Sequence, residues 1–102
     1  MTEPALSYTA LFVLQAVSRG HKFGFDIMDV TQLPSGTVYP ALRRLETAGL
    51  VASDWEDDGR ARQQQRPRRR YYALTATGRG MLTQAEARYR AVERLFPQKA
   101  RP

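Results

Sequence analysis

Apolar residues recur at helical spacing along most of this chain, and the pattern breaks where glycine or proline stands. Residues 5 to 18 carry Ala5, Leu6, Tyr8, Leu11, Phe12, Leu14 and Val17, which leaves a polar stripe only at Ser7, Gln15 and Ser18. That spacing predicts a helix covered on more than one side, because a surface helix keeps a broad polar face. A chain of 102 residues has a small core, so a second subunit is expected to cover part of this helix. Gly20 ends it. Phe23 to Val30 predicts a short second helix with Phe23, Ile27 and Val30 on one face. Gln32 to Gly36, with Pro34 and Gly36, reads as a turn.

A third helix follows and closes at Gly49. With Val38 at zero and about 100° per residue, Leu42, Leu45 and Gly49 fall within about 40° of it, and Ala41 lies at the border. Gly36, Pro40, Arg43 and Thr47 lie roughly opposite, flanked by Thr37, Tyr39 and Arg44. The outer face is therefore small at its N-terminal end and basic in its middle. A helix that enters the DNA major groove needs that profile: close approach first, then donors for phosphates and base edges. The start of the helix is open. With Ser35 as the N-cap, Pro40 lies past the first turn and deletes an intrahelical bond; a start near Thr37 places it where it costs little.

Leu50 to Trp55 alternates, with Val51 and Trp55 on one side, and Arg70 to Leu74 alternates with Tyr72 and Leu74 together. Two strands joined by a long polar loop make a wing. Asp58-Gly59 is a turn signal, and Gln63-Gln64-Gln65 reads as irregular. Thr75 can cap a last helix whose apolar positions, Leu82, Ala85, Tyr89, Val92 and Phe96, step by three and four. That is a heptad seam. A helix folded back on its own domain shows the same stripe, but this one runs toward the chain terminus, where little else would cover it. Pro97 stops it. The predicted fold is mainly α with a two-stranded β-wing. Residues 1–74 form a winged helix-turn-helix domain, 75–96 a C-terminal dimerisation helix, and 97–102 a tail.

Charge sharpens this picture. Arg60, Arg62, Arg66, Arg68, Arg69 and Arg70 lie within eleven residues that contain no acid. The other ten basic residues are balanced by ten acidic ones, so this run supplies the whole net charge of +6. A concentrated positive patch attracts polyanions better than a dispersed one, and double-stranded DNA is the expected partner. There is no cysteine and one histidine, His21, expected in a surface turn. No phosphate loop, metal cluster or nucleophile–base pair can be drawn, so neither an enzyme, a cofactor nor a metal is expected. The acidic cluster Asp54, Glu56, Asp57 and Asp58 lacks the ordered spacing of a calcium loop. It is expected as a solvated loop or as partner to the wing arginines. The longest apolar stretch, Ala10 to Leu14, is too short for a leader or a membrane span, and a cytoplasmic, nucleoid-associated location is expected.

The residues expected to contact DNA are Ser35, Thr37, Tyr39, Arg43 and Arg44 on the third helix, with Arg62, Arg66, Arg68 and Arg69 on the wing. Ser35 and Thr37 can donate to phosphates at the helix N-terminus. Two roles are open to Tyr39: a hydroxyl on phosphate, or packing against the second helix. Arg43 or Arg44 can read guanine, hold the backbone, or pair with Glu46 or Asp29. Trp55 is expected to anchor the wing in the core. The expected dimer interface is Tyr8, Leu11, Phe12, Leu82, Ala85, Tyr89, Val92 and Phe96.

The chain resembles the PadR-type transcriptional regulators, of the short kind with a single C-terminal helix. Three blocks between residues 8 and 96 carry the resemblance: Gly20 with Phe23-Gly24-Phe25-Asp26-Ile27; Ser35 through Glu46; and Gly49-Leu50-Val51 and Trp55 with Arg69 through Arg79. The resemblance implies a homodimeric repressor built on its N- and C-terminal helices, recognising a roughly palindromic operator and open to relief by a small-molecule effector. The family's glycine-rich wing tip is replaced here by Arg60 through Pro67. Two other readings have distinct signatures. An interaction module for protein or RNA would bind DNA weakly and without sequence preference, and an effector sensor with a degenerate wing would show ligand quenching of Trp55 without an operator complex.

Overall fold

The computed structural model describes residues 6–95. The elements run α1 (Tyr8–Ser18), α2 (Gly24–Thr31), α3 (Ser35–Thr47), β1 (Val51–Trp55), α4 (Asp58–Gln63), β2 (Arg70–Leu74) and α5 (Ala76–Leu95). Local chemistry sets the boundaries. The Ser7 hydroxyl accepts from the Ala10 amide at 3.1 Å, so α1 starts at Tyr8 rather than at residue 5. Gly49, at φ +79°, closes α3 in a Schellman turn: its amide donates to the Glu46 carbonyl, and that of Leu50 to the Leu45 carbonyl. Thr75 caps α5, its hydroxyl accepting from the Gly78 amide at 2.9 Å.

α3 begins at Ser35 with Pro34 as its N-cap, so Pro40 does sit inside the helix. It removes the bond that would run to the Gly36 carbonyl. The buried faces of α3 and its neighbours hold the helix despite that loss. Val38, Ala41, Leu42 and Leu45 are buried in one cluster with Val13 and Leu14 of α1 and Ile27 of α2. Each leucine- or isoleucine-sized side chain so buried contributes about 1.5–3 kcal/mol.

β1 and β2 pair antiparallel from Val51↔Leu74 to Trp55↔Arg70. A bridge between Phe23 and Tyr71, with the Tyr72 amide donating to the Lys22 carbonyl at 2.7 Å, ties the entrance of α2 to the free edge of β2. The connection between the strands departs from the expected irregular loop. Asp58-Gly59 opens α4 instead of a hairpin turn, and Ala61 is buried beneath it.

α5 packs its first half into the same core, where Leu82 and Ala85 are buried with Leu11. These three were expected at the subunit seam; within the single chain they already have partners, because the α1 and α5 stripes face each other. Gln15 also bonds Glu86 across this contact at 3.0 Å. The uncovered apolar surface begins farther out. Tyr8 stacks on Tyr89 with ring centroids 4.2 Å apart, the Tyr89 hydroxyl donates to the Leu6 carbonyl, and Tyr8, Phe12, Val92 and Leu95 are exposed. Phe96 and Pro97 lie outside the described residues.

Candidate nucleic-acid interface

The outer face of α3 is open to solvent along its length. Ser35, Gly36, Tyr39, Arg43, Arg44 and Thr47 are exposed and Thr37 is half-buried, opposite the buried Val38–Leu42–Leu45 stripe. Arg43 and Arg44 make no ion pair among the described residues, so neither guanidinium is held by Glu46 or Asp29. Tyr39 takes the packing role: its hydroxyl end lies over Gly24, where a Cβ would overlap it, and the residue as a whole stays 43% exposed. Glu46 is engaged elsewhere, accepting from Ser53 and pairing with Arg70 at 3.5 Å.

The wing arginines divide sharply. Arg66 is turned inward and clamps Glu56 with both terminal nitrogens, at 2.6 and 2.8 Å. Glu56 is 3% exposed and also accepts from the Tyr71 hydroxyl at 2.9 Å and the Arg69 amide at 3.2 Å. Its own carbonyl accepts from Arg68 Nε at 2.9 Å. Arg66, expected to meet phosphate, is thus the counter-ion of a buried carboxylate that organises the wing. A lone buried carboxylate would be costly, and here the Arg66 guanidinium together with the Tyr71 hydroxyl and the Arg69 amide offsets that cost. Arg68 pairs with Asp58 at 3.1 Å, and Arg60 lies 3.7 Å from Glu56. Arg62 and Arg69 have no carboxylate partner among the described residues; Arg62 is exposed, and Arg69 stacks 4.1 Å over the Phe23 ring. Among the described residues, the arginines of α3 and of the wing without a carboxylate partner are therefore Arg43, Arg44, Arg62 and Arg69.

Trp55 is a correction. It is 52% exposed, with Arg68 and Arg70 each 5.5 Å from its ring. Val51 and Trp55 share a strand face as expected, but four residues of strand carry Trp55 about 13 Å farther out, past the helices that bury Val51. Glu56 was legible as one acid among four able to pair with the wing; nothing in the spacing distinguished it. His21 Nδ1 lies 3.0 Å from Asp26, a local contact at the start of α2. Among the described residues no group of three metal-ligating side chains forms, and no helix is long and apolar enough to cross a membrane.

The Glu56 network has a pH signature. Hydrogen bonds from Arg66, Tyr71 and the Arg69 amide outweigh burial and hold its carboxyl down at about 2, against an ordinary 4.5. In that interval the unfolded chain binds a proton that the folded wing refuses. The stabilisation is therefore complete above 4.5 and is lost as pH falls through about 2. Thermal melts over that range are expected to show a falling midpoint, and Glu56→Gln to flatten the fall. An equal acid dependence in that variant would contradict the assignment.

A helix-turn-helix whose second helix presents an open basic face, followed by an arginine-bearing two-stranded wing, defines the winged helix-turn-helix class of DNA-binding transcription regulators. The model of the Transcriptional regulator PadR-like family matches residues 13–84, and the chain belongs to that family. Its members are non-enzymatic DNA-binding proteins. A PadR family regulator from hypervirulent Clostridium difficile R20291 superposes with a TM-score of 0.74 at 24% identity, over 87% of this chain and 94% of that one. A PadR family regulator from Eggerthella lenta DSM 2243 gives 0.64 at 26% identity, over 85% and 82%. Bordetella bronchiseptica BpsR, whose DNA binding is regulated by 6-hydroxynicotinic acid, shares the fold at 0.76 and 18% identity, over 100% of this chain and 73% of that one. No curated protein matches the chain.

Proposed function

We propose that two copies of this chain form a repressor that docks paired α3 helices into successive major grooves of a roughly palindromic operator in the cytoplasm, on the nucleoid. The observation that carries the reading is the open outer face of α3, where Arg43 and Arg44 are exposed and without ion-pair partners among the described residues. Ser35, Thr37 and Tyr39 stand at its N-terminal end for phosphate contact, and Arg62, Arg68 and Arg69 flank it from the wing. Pairing of subunits is supported by the exposed apolar line Tyr8, Phe12, Val92 and Leu95 beside the Tyr8–Tyr89 stack. Beyond Tyr89 every described residue of α5 is exposed, so its apolar positions gain cover from a second copy. A two-fold dimer would set its recognition helices about 34 Å apart. Regulation of BpsR by a small aromatic acid supports relief by an effector in this chain as well.

Selection from random duplexes, followed by fluorescence anisotropy on the selected and a scrambled duplex, tests this reading. Arg43→Ala is expected to weaken the selected site by about 1–3 kcal/mol and the scrambled one far less. Equal losses on both would remove Arg43 from base reading, and a monomer that binds no duplex at low salt would end the proposal.

A further inference from the structure

Between the entrance of α2, Tyr39 of α3 and the wing lies an open cleft of about 350 Å³. Its walls are Phe23, Phe25, Tyr39 and Trp55, and its cations are Arg68, Arg69 and Arg70, with no acidic side chain in the lining. Three of the aromatic walls are conspicuously uncovered: Phe25 is 75% exposed, Trp55 52% and Tyr39 43%. Arg68 is fixed by Asp58 and Arg70 by Glu46, while both flank the Trp55 ring. Arg69 alone keeps its charge uncompensated by a carboxylate among the described residues, its guanidinium laid over Phe23.

We infer that this cleft grips the sugar–phosphate backbone of bound DNA, with Trp55 and Phe25 against deoxyribose and Arg69 on phosphate. The inference rests on the reading of α3 as the DNA-docking helix. A nucleic-acid strand carries both apolar sugars and anionic phosphates, and the cleft sets aromatic rings beside guanidinium groups. The cleft is continuous with the docking face through Tyr39, which belongs to both. Most contacts between proteins and DNA go to phosphate and sugar, and they set register rather than sequence. Neither Trp55 nor Phe25 carries charge, so their contribution is expected to be independent of both sequence and salt.

Trp55 is the single tryptophan, which makes the test direct. Intrinsic emission and anisotropy of a labelled duplex are followed together, on selected and scrambled sequences at several salt concentrations. Saturable change in Trp55 emission at the same duplex concentration as the anisotropy rise is expected. Trp55→Ala, which removes an exposed side chain and leaves no core cavity, is expected to lower affinity for both duplexes by the same factor without altering the salt slope. Arg69→Ala is expected to flatten that log–log slope by about 0.9. A duplex that binds with Trp55 emission unchanged, or a Trp55→Ala protein of unaltered affinity, overturns this inference and leaves the docking of α3 standing. Absence of binding to any duplex overturns both.

Discussion

Gly78→Ala is expected to destabilise the protein by about 3 kcal/mol, lowering the melting midpoint by roughly 12–24 °C. Taken alone, the substitution should help, since alanine is worth about 1 kcal/mol over glycine inside a helix. The surroundings reverse the sign. Gly78 lies in the first turn of α5, against the backbone where α3 ends and β1 begins, and a Cβ there would overlap the Leu50 carbonyl. No rotamer change relieves a clash with backbone. The Leu50 carbonyl is also pinned, accepting from the Thr75 amide at 3.1 Å, while the Thr75 hydroxyl donates to the Gly49 carbonyl at 2.6 Å. Moving α5 aside would break this cap and lift Leu82 and Ala85 from the core. Gly80 is the control: a Cβ there meets nothing within 4 Å, so Gly80→Ala is expected to stabilise by up to about 1 kcal/mol. Calorimetry on the two variants decides the matter, and a raised midpoint in Gly78→Ala would refute the close approach.

Helices α1, α2, α3 and α5, the turn between α2 and α3, and the two strands were all legible because each rests on local pattern: a 3.6-residue stripe, a breaker cluster, a period of two. So was the open face of α3, since the stripe that buries Val38, Leu42 and Leu45 dictates what remains outside. What resisted reading depended on distance. Whether Trp55 is covered depends on how far β1 projects beyond the helices, which alternation does not encode. Whether Leu82 and Ala85 serve a seam or the chain's own core depends on where α5 folds back against α1. Asp58 to Gln63 folds as α4 although its sequence carries a turn signal, with Ala61 buried beneath it and Glu56 ion-paired to Arg60. Charge was the least legible property. Six arginines in eleven residues look equivalent as a string. One buried carboxylate ten residues from Arg66 makes them unequal.

That inequality sets the second large effect. Arg66→Ala and Glu56→Ala are both expected to weaken DNA binding on every sequence, by loosening the wing and not by deleting a phosphate contact. Removing Glu56 leaves the Arg66 guanidinium turned inward without its counter-ion and strips the partner from the Tyr71 hydroxyl and the Arg69 amide. Breaking a buried pair by removing one member costs more than the pair contributes while intact. The segment from Asp57 to Arg69 is then expected to lose its hydrogen-exchange protection while the α1–α3 core keeps its own. Arg62→Ala supplies the contrast, because Arg62 is exposed and makes no ion pair among the described residues. It is expected to flatten the log–log salt slope by about 0.9, the mark of one phosphate released, while leaving exchange untouched. Arg66→Ala is expected to show the reverse: faster exchange in the wing and a salt slope close to that of the unaltered protein, since its charge is already cancelled by Glu56. A slope change in Arg66→Ala equal to that in Arg62→Ala would mean the guanidinium swings out to the DNA, and the ion pair would then be a resting position of a contact residue.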